Sequence, residues 1–259
     1  MTQKIIFFDI DGTLLNDQKE LPNSTEQSIQ RLKKDGHIVA IATGRAPFIF
    51  KDLREQLGIS SYVSLNGQYV VLNGKVVYRN PLNLPALNEL VAFSEERNNP
   101  ILYMSHADWR ASGKRNAFVE DIIGSLKVPY KVTFESSPYD AYENFQAVLF
   151  CDAEEEELYK ERFNQFNFIR WHEHSVDVLP TGGSKAEGIE RLIKAADLKQ
   201  ENAYAFGDGL NDMEMLKYIP NSVAMGNALE PVKNVAKFVT KTVDEDGIEY
   251  GLKELGLLS

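Results

Sequence analysis

From Lys4 to about Pro81, short apolar runs alternate with a stretch of helical spacing. The runs are "KIIFFDI", "HIVAIAT" and "YVSLNG", and the helical stretch is "STEQSIQRLKKDG", with Ser24 or Thr25 as its cap and Gly36 as its stop. Strands that are apolar on both faces and joined through a helix predict βαβ units and a parallel sheet covered on both sides. "QYVVLNGKVVY" breaks this pattern: two β-branched runs flank Asn73-Gly74, the dipeptide of a type I′ hairpin, so an antiparallel flap or edge is expected. From about Leu82 to Gly183 the pattern is more aromatic and polar. "ILYMSHADWRAS", "NAFVEDIIGSL", "YKVTFE", "AVLFCD", "EEEELYKERFNQF", "FIRWHE" and "SVDVLP" predict an antiparallel sheet with two or three helices on one face. The α/β style returns at Ser184 with the helix "SKAEGIERLIKAA", the strand "NAYAFGD", the helix "LNDMEMLKYI", the strand "NSVAMG" and the helix "ALEPVKNVA". "KFVT" and a last helix, "DGIEYGLKEL", follow. The predicted fold is therefore α/β: a doubly wound parallel sheet from residues 1–81 and 184–259, with an α+β insertion at 82–183.

Composition narrows the partners. The chain has 259 residues, 43% hydrophobic and 25% charged, which suits a folded globular protein. A net charge of -10 disfavours nucleic acid, because an acidic surface repels phosphates and gains nothing from counterion release. The single cysteine, Cys151, excludes an internal disulfide framework and fits a reducing cytoplasm. The apolar stretch before the first acid is too short for a signal sequence, and no later run approaches membrane-spanning length. A cytoplasmic protein with no membrane, nucleic-acid or evident protein partner is expected.

Ligands of open α/β sheets bind beyond the carboxyl ends of the strands, where several polar residues of this chain fall. Asp9 and Asp11 close the first strand, Thr43 the second and Asp208 a later one, with Asp212 shortly after. Residues two apart on a strand share a side, so Asp9 and Asp11 are expected to crowd one site. Two unit charges about 4 Å apart cost on the order of 4 kcal/mol at an effective dielectric of 20. Either some carboxyls stay protonated or a hard dication sits among them, and the absence of a neighbouring histidine or cysteine favours Mg²⁺ over zinc. Lys185 is expected at a helix start, where the dipole disfavours a cation, so its position needs a compensating anion.

Four motifs, "FFDIDGTLL", "IATGR", the lysine of "GGSKAEGI" and "FGDGLNDMEML", occur in this order in the haloacid dehalogenase-like (HAD) hydrolases, which the chain strongly resembles. The place of the insertion resembles that of the Cof-type subgroup with a C2 cap. The resemblance implies a Rossmann-like core, a cap domain, Mg²⁺ dependence and an aspartyl-phosphate intermediate. It makes Asp9 the nucleophile, with metal held by Asp9, the Asp11 main-chain carbonyl and Asp208. It makes Asp11 the acid that protonates the leaving group and later accepts a proton from water. Gly12 and Thr13 would form a tight turn with backbone donors for phosphate, and the Thr43 hydroxyl and Gly44 amide would bind phosphate too. Lys185 would neutralise charge on phosphate and on Asp9. Asn211 and Asp212 match the family's "ND" pair, the amide facing phosphate and the acid holding the metal shell. Arg45 is placed to meet a second anionic group.

Other conspicuous residues have plainer explanations. His172 and His174 lack a third ligand nearby, Glu154 to Glu157 complement a helix dipole after Asp152, and Cys151 reads as a small buried hydrophobe. His106, Trp109, Arg110 and Lys114 suit a solvated loop or a substrate contact equally. The function expected is a Mg²⁺-dependent phosphatase for small phosphorylated metabolites, such as sugar phosphates or phosphorylated cofactors. A phosphotransferase or mutase on the same core and a phospho-accepting regulatory receiver are the alternatives.

Overall fold

The computed structural model describes residues 2–113, 115–125, 130–135 and 142–258. Strand β1 (Ile5–Phe8) consists of four fully buried residues. Helix α1 (Asn23–Lys34) begins two residues before the start a Ser24 cap allows and three before that of a Thr25 cap. Pro22, with φ -60°, precedes the first helical residue, and Ser24 Oγ donates to Asp246 Oδ1 at 2.5 Å instead of capping. Gly36, in the left-handed region at φ 82°, follows the helix end. Strand β2 (Ile38–Ala42), helix α2 (Lys51–Leu57) and strand β3 (Ser61–Ser64) come next. Strands β4 (Tyr69–Leu72) and β5 (Lys75–Arg79) are neighbours joined at Asn73 and Gly74, whose φ values of 48° and 77° are those of the expected type I′ hairpin.

The chain divides into two compact units. The first contains the residues up to Gly44, Asp52–Tyr78 and those from Ser184 on, and the second contains Arg45–Lys51 and Arg79–Gly183. Within the second, helix α3 (Leu84–Glu96) leads to strands β6 (Ile101–Met104) and β7 (Trp109–Ser112), helix α4 (Ala117–Ser125) and strand β8 (Thr133–Glu135). Strand β9 (Gln146–Leu149), helix α5 (Ala153–Arg162) and strands β10 (Phe166–His172) and β11 (Ser175–Pro180) complete it. Its sheet has the order β10-β11-β9-β6-β7-β8. The pairing is antiparallel except for β7 with β8, which run parallel, a departure from the all-antiparallel sheet expected. Helices α3 and α5 share a core with alternate strand residues, Ile101 and Tyr103, Ala147 and Leu149, Val176 and Val178. The period of two puts these on one face.

Helix α6 (Lys185–Ala195) returns the chain to the first unit, followed by strand β12 (Ala203–Gly207), helix α7 (Met213–Tyr218) and strand β13 (Asn221–Ala224). The segment expected as the helix "ALEPVKNVA" is helical only over α8 (Glu230–Lys233), with a proline in its first turn. Strand β14 (Phe238–Val239) and helix α9 (Gly247–Glu254) end the fold. The sheet order is β14-β13-β12-β1-β2-β3-β4-β5, parallel from β14 through β3. One face packs Ile5, Phe7, Ala40 and Ala205 against Ile189 and Leu192 of α6. The order reverses between β1 and β12, and a doubly wound sheet opens its ligand crevice at the carboxyl ends of such strands. No helix among the described residues is long and apolar enough to cross a membrane.

Candidate active site

The crevice is built from the residue after β1. Phe8 stacks on Phe206 of β12, ring centroids 5.0 Å apart, and the Asp9 N–H donates to the Phe206 carbonyl at 3.0 Å, so Asp9 is fixed by the ladder although the strand has ended. The chain then folds tightly: Gly12 N–H donates to Leu15 O at 2.8 Å and Leu15 N–H to Ile10 O at 2.8 Å. Gly12 has φ 77°, and a Cβ there would lie 2.2 Å from an Asp208 carboxylate oxygen. Glycine is therefore needed both for the turn and for the approach of Asp208. A threonine at this place is expected to hydrogen-bond within the turn, but Thr13 Oγ1 instead donates across to Asp208 Oδ1 at 2.8 Å. With the Gly12 amide bonded inside the turn, the contribution of Gly12 visible here is room for Asp208.

Asp9, Asp208 and Asp212 converge, each offering a carboxylate oxygen such that the three lie within 4.8 Å of one another. Lys185, the first residue of α6, is 2% exposed and donates from Nζ to Asp9 Oδ1 at 2.6 Å and to Asp212 Oδ1 at 2.7 Å. Asp212 also accepts the N–H groups of Asp208 and Gly209 at 3.0 and 2.9 Å, so it closes its own turn while it holds the lysine. Burial, then the charge of Asp212, lifts the Asp9 carboxyl well above the usual range against the opposing pull of Lys185. Burial lifts Asp208 to about 7 despite the Thr13 hydrogen bond. Burial alone would lower Lys185, but the charges of Asp212 and Asp9 overcome it and hold the ammonium above its ordinary value.

One ammonium does not balance three carboxylates. Burial first, and the neighbouring carboxylates after it, raise Asp9 and Asp208, and a set of hard oxygen donors in this arrangement fits a divalent cation. The described residues contain no other such cluster, and His172 and His174 instead form a local contact, the His174 N–H donating to His172 Nδ1 at 3.1 Å.

Asp11 lies apart from the trio. Its half-exposed carboxylate pairs with Lys19 Nζ at 2.6 Å, because β1 stops at Phe8 and the period of two no longer relates Asp11 to Asp9. Thr43 is buried at the end of β2, two residues beyond Ile41, the partner of Phe8, and its carbonyl accepts the Asn66 N–H at 3.2 Å. Gly44 packs beside the Asn66 carboxamide. Arg45 belongs to the second unit, and Asn211 is exposed beside Asp212.

The second unit absorbs most of its conspicuous residues into its own fold. Trp109 is buried, with Nε1–H donating to Lys131 O at 3.0 Å, and buried Arg110 pairs with Asp108 and Glu135 and stacks 3.3 Å from the Tyr142 ring centre. His106 is exposed, and Lys114 lies outside the described residues. Cys151 is buried, with its thiol pushed by burial to about 11, as an inert hydrophobe requires. Asp152 caps α5 by accepting the Glu155 N–H at 2.9 Å, and the acids that follow lie in the first turn.

The sequence reading missed Lys19, Asn66 and Asn227. Asn227 follows β13, so the strand-end rule that selected Asp208 also points to it. Its Nδ2 donates to Gly12 O at 2.8 Å, and its Oδ1 accepts the Val243 N–H at 3.0 Å.

The model of one family, described as haloacid dehalogenase-like hydrolase, matches residues 6–252 and so spans both units and all four motifs. The chain belongs to the haloacid dehalogenase-like hydrolases. A Bacillus subtilis (strain 168) relative named "Putative phosphatase YkrA" is 47% identical over 258 residues, covering 100% of each chain. A crystal structure of a protein from Geobacillus kaustophilus HTA426 superposes with a TM-score of 0.94 at 50% identity, over 99% of this chain and 100% of that one. BT4131, described as a sugar phosphatase of HAD subclass IIB, superposes with a TM-score of 0.87 at 30% identity, over 99% of this chain and 100% of its own. The enzyme class of this chain is that of the phosphatases within the family.

Proposed function

We propose that this protein is a Mg²⁺-dependent phosphatase that hydrolyses small phosphorylated metabolites, sugar phosphates among them, through an aspartyl-phosphate on Asp9. The observation that carries this reading is the buried carboxylate of Asp9, held by Lys185 inside a cluster with surplus negative charge. Asp9, Asp208 and Asp212 are the side chains that hold the cation, with the Asp11 carbonyl as the further ligand the motif supplies. When bound, Mg²⁺ neutralises charge on the carboxylates and on the transferring phosphoryl oxygens.

The protein's own groups perform the rest. An Asp9 oxygen attacks phosphorus in line, the bond from phosphorus to the leaving oxygen breaks, and Asp11 gives its proton to the departing alkoxide. Water then loses a proton to Asp11 and attacks phosphorus, the Asp9–phosphorus bond breaks, and inorganic phosphate and free Asp9 are restored. Lys185, the Thr43 hydroxyl and the Gly44 amide hold the phosphoryl oxygens as charge develops on them. Asn211 is the side-chain amide placed for the same group. The second unit is the cap that selects the substrate, and Arg45 meets a second anionic group on it.

The test is a panel of phosphate esters assayed for inorganic phosphate with Mg²⁺ and with chelator. Asp9→Asn is expected to lose turnover on the order of 10⁴-fold or more, and Asp11→Asn about 10² to 10⁴-fold, with phosphoenzyme accumulating where the second step slows most. Wild-type-like turnover by Asp9→Asn would overturn the mechanism. Phosphate appearing on a second substrate instead of in solution would make the enzyme a phosphotransferase.

A further inference from the structure

The structure contains one turn whose strain the fold does not require for chain reversal alone. Directly after β3, Leu65, Asn66 and Gly67 have φ values of 53°, 51° and 96°, three consecutive left-handed residues, all buried. Left-handed backbone in a non-glycine residue is strained and persists only where the surroundings over-determine it. It is least expected for a bulky residue such as Leu65.

Two contacts over-determine it. On one side, the Asn66 N–H donates to Thr43 O at 3.2 Å, and the Asn66 carboxamide lies so close to Gly44 that a Cβ there would be 3.0 Å from its oxygen. On the other side, Gly67 meets the start of α6: a Cβ on Gly67 would lie 2.0 Å from the carbonyl oxygen of Ser184, the residue before Lys185. Gly188, one turn along α6, comes equally near, its Cβ position 2.7 Å from Gly67 Cα. Buried Gln68 braces the turn from within by donating Nε2–H to Asn66 O at 3.0 Å.

We infer that the turn 65–67 sets the spacing between the two elements that bind the phosphoryl group, the Thr43–Gly44 loop and the first turn of α6 with Lys185, and that Asn66 is its positioning residue. This rests on the phosphatase reading above. Asn66 bears on the anion through its contacts with Thr43 and Gly44, the loop assigned to the phosphoryl group.

Asn66→Gly tests this, since glycine takes the left-handed conformation without penalty while removing the carboxamide. The expected result is a Tm kept within about 3 °C, given that strain relief offsets the added freedom of the unfolded chain. With it, kcat/KM falls at least tenfold, KM and the inhibition constant of inorganic phosphate both rise, and the Mg²⁺-dependent rise in Tm is unchanged. Asn66→Asp keeps the backbone preference but sets a carboxylate against Gly44, and is expected to lose more activity than Asn66→Gly. A turn that serves the fold alone predicts kcat/KM and phosphate inhibition within twofold of wild type in both variants, which would overturn the inference while wild-type activity leaves the phosphatase reading standing. A wild type inert toward every ester with Mg²⁺ would overturn that reading and this inference together.

Discussion

A fully buried cation in the first unit and a partly buried one in the second each contact a buried acid. Lys185 opens α6 and contacts two buried aspartates, while Arg170 on β10 contacts buried Glu156 in the first turn of α5 at 2.6 Å. The sign of the imbalance differs. Glu156 also takes Lys160 at 2.7 Å, so one acid has two cations, and the remaining Arg170 donors reach the carbonyls of Cys151, Asp152, His172 and Glu173. Every strong group there has a protein partner, and the cluster joins helix to hairpin. Around Lys185 one cation faces three acids, and protein groups alone do not balance the charge. A surplus held in a crevice indicates a ligand, whereas a satisfied knot indicates architecture.

The largest expected effect separates the two directly. Lys185→Met removes one partner from a fully buried pair, a change that typically destabilises by about 3 to 5 kcal/mol, and Arg170→Met should cost less, because Arg170 is partly exposed and Glu156 keeps Lys160. Arg170→Met is expected to lower Tm while keeping kcat within about twofold for the folded protein, because no group it touches handles phosphate. Lys185→Met is expected to lose about 10³-fold or more in kcat, comparable to the removal of an oxyanion donor. Thermal unfolding and initial rates measured on the same samples check both. Equal kinetic losses in the two variants would erase the distinction.

The next effect tests the surplus itself. A ligand that binds only the folded state at a hundred times its Kd stabilises by about 2.7 kcal/mol, so saturating Mg²⁺ should raise the Tm of the first unit by about 5 to 10 °C. Asp208→Asn is expected to remove most of that rise. In chelator it should be at least as stable as wild type, because a like charge has gone and the new side chain still offers an oxygen to Thr13. Arg170→Met should keep the full metal-dependent rise. Scanning calorimetry of the three proteins with and without Mg²⁺ decides it. A metal effect that survives Asp208→Asn would place the cation elsewhere.

How much of this was legible in the chain depends on how local each cause is. Asp9 and Asp208 could be placed because apolar runs define strands and strand ends define the crevice. The environment of Asp11 could not, since where β1 stops is set by pairing with Ala203–Gly207 and Ile38–Ala42, not by the run "IIFFDI". Thr13 finds its partner 195 residues away, beyond any spacing rule. Helix α3 was overlooked although its signals are local: Asn83 accepts the Ala86 N–H at 3.1 Å, and a proline sits in the first turn. The left-handed run at 65–67 follows from pressure on both sides, and "SLNG" alone reads only as a strand running into a turn.

The smallest expected effect lies at the edge of the charged cluster, where no charge is involved. Asn227 joins Gly12 O to the Val243 N–H, so it fixes the turn into which Asp208 fits. Its side chain is exposed, and water can replace one or both bonds, so truncation should cost on the order of 1 kcal/mol. Asn227→Ala is therefore expected to lower kcat/KM by only about three- to tenfold, a loss of the size one neutral hydrogen bond supplies. Asn227→Asp keeps an acceptor for Val243 but turns a carboxylate toward the Gly12 carbonyl, and it adds negative charge beside a cluster that already has too much. It should be the worse of the two, and the gap should narrow as Mg²⁺ approaches saturation, since the cation offsets the added charge. If instead Asn227→Asp matched Asn227→Ala at every Mg²⁺ concentration, the surplus would not extend to this turn, and the comparison with Arg170 would apply to the three aspartates alone.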